Sequence, residues 1–245
     1  MAGQRKVSRP NSRGDRPNGR SADAGQANPE QSAKRKPATP PAPPEELLFA
    51  TSNAGKLREL SELAGPNVRV LSPTQLTEQS QTILPEVQED ADTFVGNALL
   101  KACSGVNASG LTTLADDSGL CVVALGEAPG VRSARFSGPE ATDASNIDAL
   151  LERLEGVDES GRAAWFECAL VLAGPLAEGP GCGRTDDGVA WRAFCGQTHG
   201  RIATERSGDG GFGYDPVFFS PRLQATFGEA TAAEKHEVSH RGKAF

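Results

Sequence analysis

The sequence predicts an α/β protein with a mixed β-sheet flanked by helices. Three observations carry this. Short apolar runs alternate with amphipathic helical segments between residues 47 and 154. Beyond residue 163 the period changes, and Ala163 to Leu172 and Val189 to Cys195 read as long strands rich in Val and aromatics. A Gly/Pro-rich stretch, Gly174 to Gly188, joins those two as a hairpin excursion, so part of the sheet is antiparallel.

The elements follow in order. Leu47 to Ala50 is a short apolar run and the first strand. Lys56 to Ala64 carries Leu57, Leu60, Leu63 and Ala64 on one helical face, with Gly65 and Pro66 as its stop. Val68 to Leu71 is a second strand. Thr93 to Cys103 is a helix with Phe94, Ala98, Leu99 and Ala102 inward. Leu111 to Leu114 is a strand that ends at Asp116-Asp117, with a flexible turn at Ser118-Gly119. Cys121 to Leu125 is a further extended segment. Asp143 to Leu154 is helical, with Ile147, Leu150, Leu151 and Leu154 as its apolar stripe.

Composition divides the chain. Residues 1–44 hold one bulky aliphatic after Met1, Val7, and are rich in Pro, Ser, Gly and Arg. Such a segment buries too little apolar surface to offset its ordering entropy and reads as a disordered basic tail. It carries nine Lys/Arg against three acids, hence +6, while the whole chain is −7, which leaves −13 on residues 45–245. Those residues suit one domain. Their charge excludes nonspecific nucleic-acid binding by the body. No apolar run approaches a membrane span, and the tail has no secretory h-region. Five cysteines without CxxC spacing fit free thiols in a reducing, cytoplasmic setting.

Four segments carry chemistry. In residues 47–60 a strand runs into Thr51-Ser52-Asn53-Ala54-Gly55, and a helix opens near Lys56. Small polar residues there cap free N–H groups, and the same N–H groups attract phosphate. A cation at that end opposes the helix dipole but suits a phosphate ligand. Ala50 and Leu57 exclude a P-loop.

Glu86, Glu89, Asp90 and Asp92 precede Asn97 and Lys101, which share a helical face at i, i+4 and could brace the first loop or reach a phosphate. Gly208 to Pro216 has four glycines within six positions, aromatic faces on Phe212 and Tyr214, and an acceptor in Asp215. Residues 234–245 end in Ser239-His240-Arg241-Gly242, whose Arg and His can donate to a 6-oxo purine.

ATSNAGKLREL, TFVGNALLKA, ADDSGLCVVALGEAPGVRSARFSG, GGFGYDPVF and EKHEVSHRGKA together resemble the inosine/xanthosine triphosphate pyrophosphatase family. The resemblance implies an elongated mixed sheet, two lobes with a cleft between them, and a homodimer. It implies hydrolysis of ITP, dITP and XTP to the monophosphate and pyrophosphate, with Mg²⁺. By position, Thr51 to Lys56 would bind the triphosphate and Lys101 a phosphate. Asp117 would be general base and metal ligand, Glu89 a second metal ligand, and Ser118 a substrate contact. Phe212, Gly213, Tyr214, Asp215, Lys235, His240 and Arg241 would hold the base.

Adjacent strand residues point to opposite faces, so Asp116 and Asp117 cannot both reach one metal unless the strand has ended before them. Asp117 is assigned the metal and Asp116 a supporting role. Two departures from the family pattern stand out. Gly96-Asn97 replaces the usual Glu-Asn, removing a carboxylate, and the sequence stops soon after His240-Arg241, which predicts a looser anchor there. Two other readings fit the same segments: a septum-inhibitor-type nucleotide pyrophosphatase, and a nucleotide-binding module without catalysis.

Overall fold

In the computed structural model, strand β3 (Thr113–Val122) is a buried interior strand of the sheet. It runs straight through Asp116, Asp117, Ser118 and Gly119, where the sequence suggested an end and a turn. All of its residues are buried except Ser118, which is half-buried. The structure describes residues 46–64, 68–175 and 182–245. The tail over 1–44 and the helix stop at Gly65-Pro66 lie outside these residues, as does the middle of the 174–188 excursion.

Eight strands of the described residues make one mixed sheet in the order β2-β1-β3-β4-β6-β7-β8. β1 (Glu46–Phe49) pairs in parallel with β2 (Arg69–Leu71) and with β3. β3 pairs antiparallel with β4 (Ala163–Ala173), placing Asp116 opposite Leu170 and Asp117 opposite Ala169. β4 pairs antiparallel with β6 (Ala190–Ile202), and β5 (Cys182–Arg184) adds to β6 from the expected excursion. β7 (Phe218–Ser220) and β8 (Ala225–Thr226) close that side. They are too short to leave a period in the sequence.

The helices cover the two faces. α1 (Ala54–Ala64) and α6 (His240–Ala244) lie on one side, where Leu60, Leu114, Cys168, Leu170 and Ala244 form a cluster. α3 (Phe94–Ser109) lies on the other, packing Ala98 and Ala102 on Ala115 and Val171, and Phe94 on Cys121. β3 therefore has an α1/α6 face and an α3 face, and alternate residues report to different neighbours.

α4 (Asp143–Arg153) matches its apolar stripe, with Ile147, Leu150 and Leu154 joining Phe166, Phe218 and Phe227 in the largest cluster. α2 (Pro73–Ser80) was not anticipated, because only Leu76 on it is buried. Its Ser72/Gln75 capping box was the local signal. α5 (Ala232–Val238) was not anticipated as a helix, although Thr231 and Glu234 form its capping box.

Candidate active site

A cleft of about 800 Å³ opens beside β3. Its wall includes Thr51, Ser52, Asn53 and Lys56 from the β1–α1 turn, Glu89, Lys101, and Asp117 and Ser118. It also includes Phe212, Gly213, Tyr214, Asp215, Lys235, His240 and Arg241. Five segments distant in sequence thus meet in one place. Two expected contacts do not line it: Ala54 and Gly55. A Cβ on Gly55 would sit 2.7 Å from the Phe212 ring, so this glycine seats the aromatic of the opposite loop instead.

The β1–α1 turn is built locally. Asn53 Oδ1 accepts from the Lys56 N–H at 3.0 Å, and Thr51 Oγ1 accepts from the Asn53 N–H at 3.2 Å. Asn53 is therefore the cap of α1. Lys56 turns inward and places Nζ 2.7 Å from Asp116 Oδ1, as an ion pair rather than an aligned hydrogen bond.

The Asp pair divides as strand alternation requires. Asp116 faces α1 and α6. Its Oδ2 accepts from Arg241 Nη2 at 2.9 Å and Nε at 3.2 Å. Burial pushes its pKa up, but Lys56 and Arg241 outweigh burial and hold it well below the usual carboxylate range. Asp117 faces α3. Its Oδ2 accepts from Asn97 Nδ2 at 3.0 Å, its Oδ1 from the Ser118 N–H at 3.1 Å, and Lys101 Nζ lies 3.6 Å from Oδ1. Burial raises its pKa above 3.8, more than Lys101 and Lys56 lower it.

Glu59, on α1, was missed. It is 6% exposed and joins two cations: Lys235 Nζ at 2.7 Å from Oε1, and Arg241 Nη1 on Oε2. Lys235 also donates to Asp215 Oδ2 at 2.5 Å. The result is a buried alternating chain, Lys56–Asp116–Arg241–Glu59–Lys235–Asp215. It neutralises three cations inside an acidic body and locks the first turn to the last two segments. A charged residue one position before the buried Leu60 of α1 was the sequence signal.

Arg241 is 1% exposed and is the largest fully buried side chain. The loose anchor expected near the end of the sequence is therefore corrected. α6 is seated by Gly196 of β6, where a Cβ would lie 2.2 Å from the His240 carbonyl. Thr198 Oγ1 donates to the Val238 carbonyl at 2.7 Å. Four of the five Arg241 N–H groups are spent on Asp116, Glu59 and Ser118, leaving one on Nη1.

His240 stacks on Phe166 with ring centroids 4.7 Å apart and planes at 14°. Burial, then the charges of Arg241 and Lys235, push its pKa well below 6.5, so the ring is neutral. Its Nδ1 has no hydrogen-bond partner among the described residues.

The 208–216 loop differs in detail from expectation. Tyr214 is 4% exposed, belongs to the core, and donates to the Ser133 carbonyl at 2.8 Å. It anchors the loop and has no free face for stacking. Asp215 Oδ2 already accepts from the Phe212 N–H at 2.8 Å and from Lys235. Asp143 of α4, another residue not anticipated, holds the Gly213 N–H at 2.7 Å. Phe212 remains at the cleft wall with Lys235 Nζ 4.9 Å from its ring centre.

The two carboxylates that the sequence reading offered as metal ligands lie beside one lysine. Glu89 and Asp117 both approach Lys101 Nζ, at 2.9 and 3.6 Å. Among the described residues no three His, Cys, Asp or Glu converge. Mg²⁺ takes one or two carboxylates and completes its shell with water and phosphate oxygens, so this donor set fits it. At Gly96 a Cβ would lie 2.7 Å from that of Ala91, so the missing side chain lets the segment after Glu89 settle on α3.

The family model for the Ham1 family matches residues 47–245. A dITP/XTP pyrophosphatase of Yersinia pseudotuberculosis is 43% identical over 201 residues, covering 82% of this chain and 94% of the relative. The solved structure of a HAM1 protein from Coxiella burnetii superposes with a TM-score of 0.67 at 38% identity, over 81% of this chain and 93% of that one. The Ham1 protein of Staphylococcus aureus gives 0.66 at 34% identity, with 81% and 93% covered. The motifs that meet in the cleft, the mixed sheet that brings them there and these matches along nearly the whole domain agree: the chain belongs to the Ham1 family.

Proposed function

We propose that this protein hydrolyses the non-standard purine nucleotides ITP, dITP and XTP to the monophosphate and pyrophosphate. One observation carries the reading: a buried charge chain ties a capped, Lys-bearing strand-to-helix turn to a base-sized aromatic and donor cluster, with Asp117 in the same cleft. The relatives named dITP/XTP pyrophosphatase support the same substrate class.

The roles follow from chemistry. Thr51, Ser52, Asn53 and Lys56 receive the polyphosphate, and Lys101 adds a second ammonium. Asn97 holds the Asp117 carboxylate at a fixed rotamer. Asp117 accepts the proton of the water that attacks the α-phosphorus, and its raised pKa brings it nearer the range useful to a general base. Ser118 contacts the substrate. Mg²⁺ is the cation assigned to Asp117 and Glu89, and when bound it supplies charge neutralisation on the phosphates. Phe212 and Gly213 flank the base. The remaining Arg241 N–H and the neutral His240 present donors to a 6-oxo group, which a 6-amino base does not accept. Tyr214, Asp215 and Lys235 hold this end in shape.

Among the described residues no helix is long and apolar enough to cross a membrane. A cytoplasmic homodimer is part of the proposal, and light scattering of the purified chain tests its assembly. The deciding experiment is pyrophosphate release from a panel of ITP, dITP, XTP, GTP and ATP with Mg²⁺ or with EDTA. Equal turnover of ITP and ATP would sink the specificity, and no pyrophosphate from any nucleotide would sink the enzyme.

A further inference from the structure

Lys101 sits where a metal is wanted. Its Nζ bridges Glu89 Oε2 at 2.9 Å and Asp117 Oδ1 at 3.6 Å; 13% of its side chain and 8% of the Asp117 side chain are exposed, against 37% for Glu89. A divalent cation held by these two carboxylates would compete with this ammonium for the same negative charge. Like charges so placed exclude each other.

The Asp117 carboxylate and the Glu89 main chain each have an anchor that does not depend on Lys101. Asn97 grips Asp117 Oδ2 and, through its Oδ1, accepts from the Ala91 N–H at 3.0 Å. Arg135 Nη2 donates to the Glu89 carbonyl at 3.0 Å. The Asp117 carboxylate and the Glu89 backbone therefore stay in place when Lys101 leaves, and the half-exposed Glu89 side chain is free to turn toward an incoming cation. The lysine stem is long and flexible, and its ammonium is a point charge that can change partners.

We propose that Lys101 is a place-holding cation: it compensates Glu89 and Asp117 in the metal-free protein, and metal entry drives its ammonium off them and onto the polyphosphate. This rests on the reading of Glu89 and Asp117 as the metal's ligands. Metal and polyphosphate then favour each other's binding by the same factor, through one side chain that cannot serve both partners.

The test is Mn²⁺ binding to the nucleotide-free protein, followed by electron paramagnetic resonance of free Mn²⁺ and by calorimetry. Lys101→Met removes the charge and keeps most of the stem. It should bind Mn²⁺ about tenfold more tightly than wild type, the order expected when a near like charge is removed. Lys101→Gln, a second neutral variant, should do the same, and Lys101→Arg should keep the weaker wild-type affinity. At the same time the KM for ITP should rise in both neutral variants. Unchanged or weaker Mn²⁺ binding in both neutral variants, with binding lost in Asp117→Asn, overturns the exchange and leaves the metal reading standing. Mn²⁺ binding that survives Asp117→Asn overturns both.

Discussion

Glu59→Gln should cost this protein far more than a conservative change on a helix normally does. The substitution keeps the shape of the side chain and removes one charge. In the structure that charge faces Lys235 Nζ at 2.7 Å and Arg241 Nη1, with 6% of the residue exposed. Without it, Lys56, Lys235 and Arg241 are left with Asp116 and Asp215 alone. Removing one partner of a buried ion pair costs about 3–5 kcal/mol, because a charge remains buried without compensation. For a domain of this size each kcal/mol lowers the melting temperature by about 2–4 °C, so the midpoint should fall by roughly 6–20 °C.

The acid dependence gives an internal control. Burial raises the Glu59 pKa, but Lys235 and Arg241 outweigh it and hold it below its ordinary value of 4.5. A depressed carboxylate stabilises the fold above its unfolded pKa and loses that contribution as pH falls through its folded pKa. The gap between wild type and variant should be full near neutral pH and should close below pH 4.5. Thermal unfolding of both proteins across this range is the assay. A variant within about 1 kcal/mol of wild type at neutral pH, or a gap that stays constant into acid, would refute the argument.

Other expectations are shorter. Asp117→Asn should lower kcat for ITP by about 10²–10⁴ with little change in unfolding temperature, and near-parental turnover would remove Asp117 from the general-base role. Burial raises the Asp117 pKa against Lys101 and Lys56, so the acid limb of kcat/KM should lie above 3.8, with activity lost as pH falls through it. A limb at or below that value counts against the assignment. Gly196→Ala should push α6 from β6, cost about 1–3 kcal/mol, and narrow the ITP/ATP preference through Arg241. An unchanged preference in a folded Gly196→Ala protein would separate α6 from base selection.

Period and local chemistry determined much of this protein. The stripe of Ile147, Leu150 and Leu154 specified α4, and the long apolar segments specified β4 and the first half of β6, because helical and strand periods differ along the chain itself. The division of Asp116 from Asp117 was also legible, since alternation in a strand sends neighbours to opposite faces. Family motifs marked the cleft residues.

Partner choice was not legible. Glu59, Lys235 and Asp215 meet across 176 and 20 residues of chain, and no local pattern records such separations. Tyr214 looked like a stacking surface and proved to be an anchor, because only packing decides which face of a ring is free. Ser118-Gly119 looked like a turn and lies within β3, because it pairs with Cys168 and Glu167 of β4, and Gly119 leaves room for the Gly130 carbonyl, to which a Cβ would come within 2.4 Å. The sequence by itself determined which elements form and which side chains can do chemistry. The tertiary structure decided which charges are spent on each other and which donors remain for a ligand, because that depends on burial and on distances between segments remote in the chain.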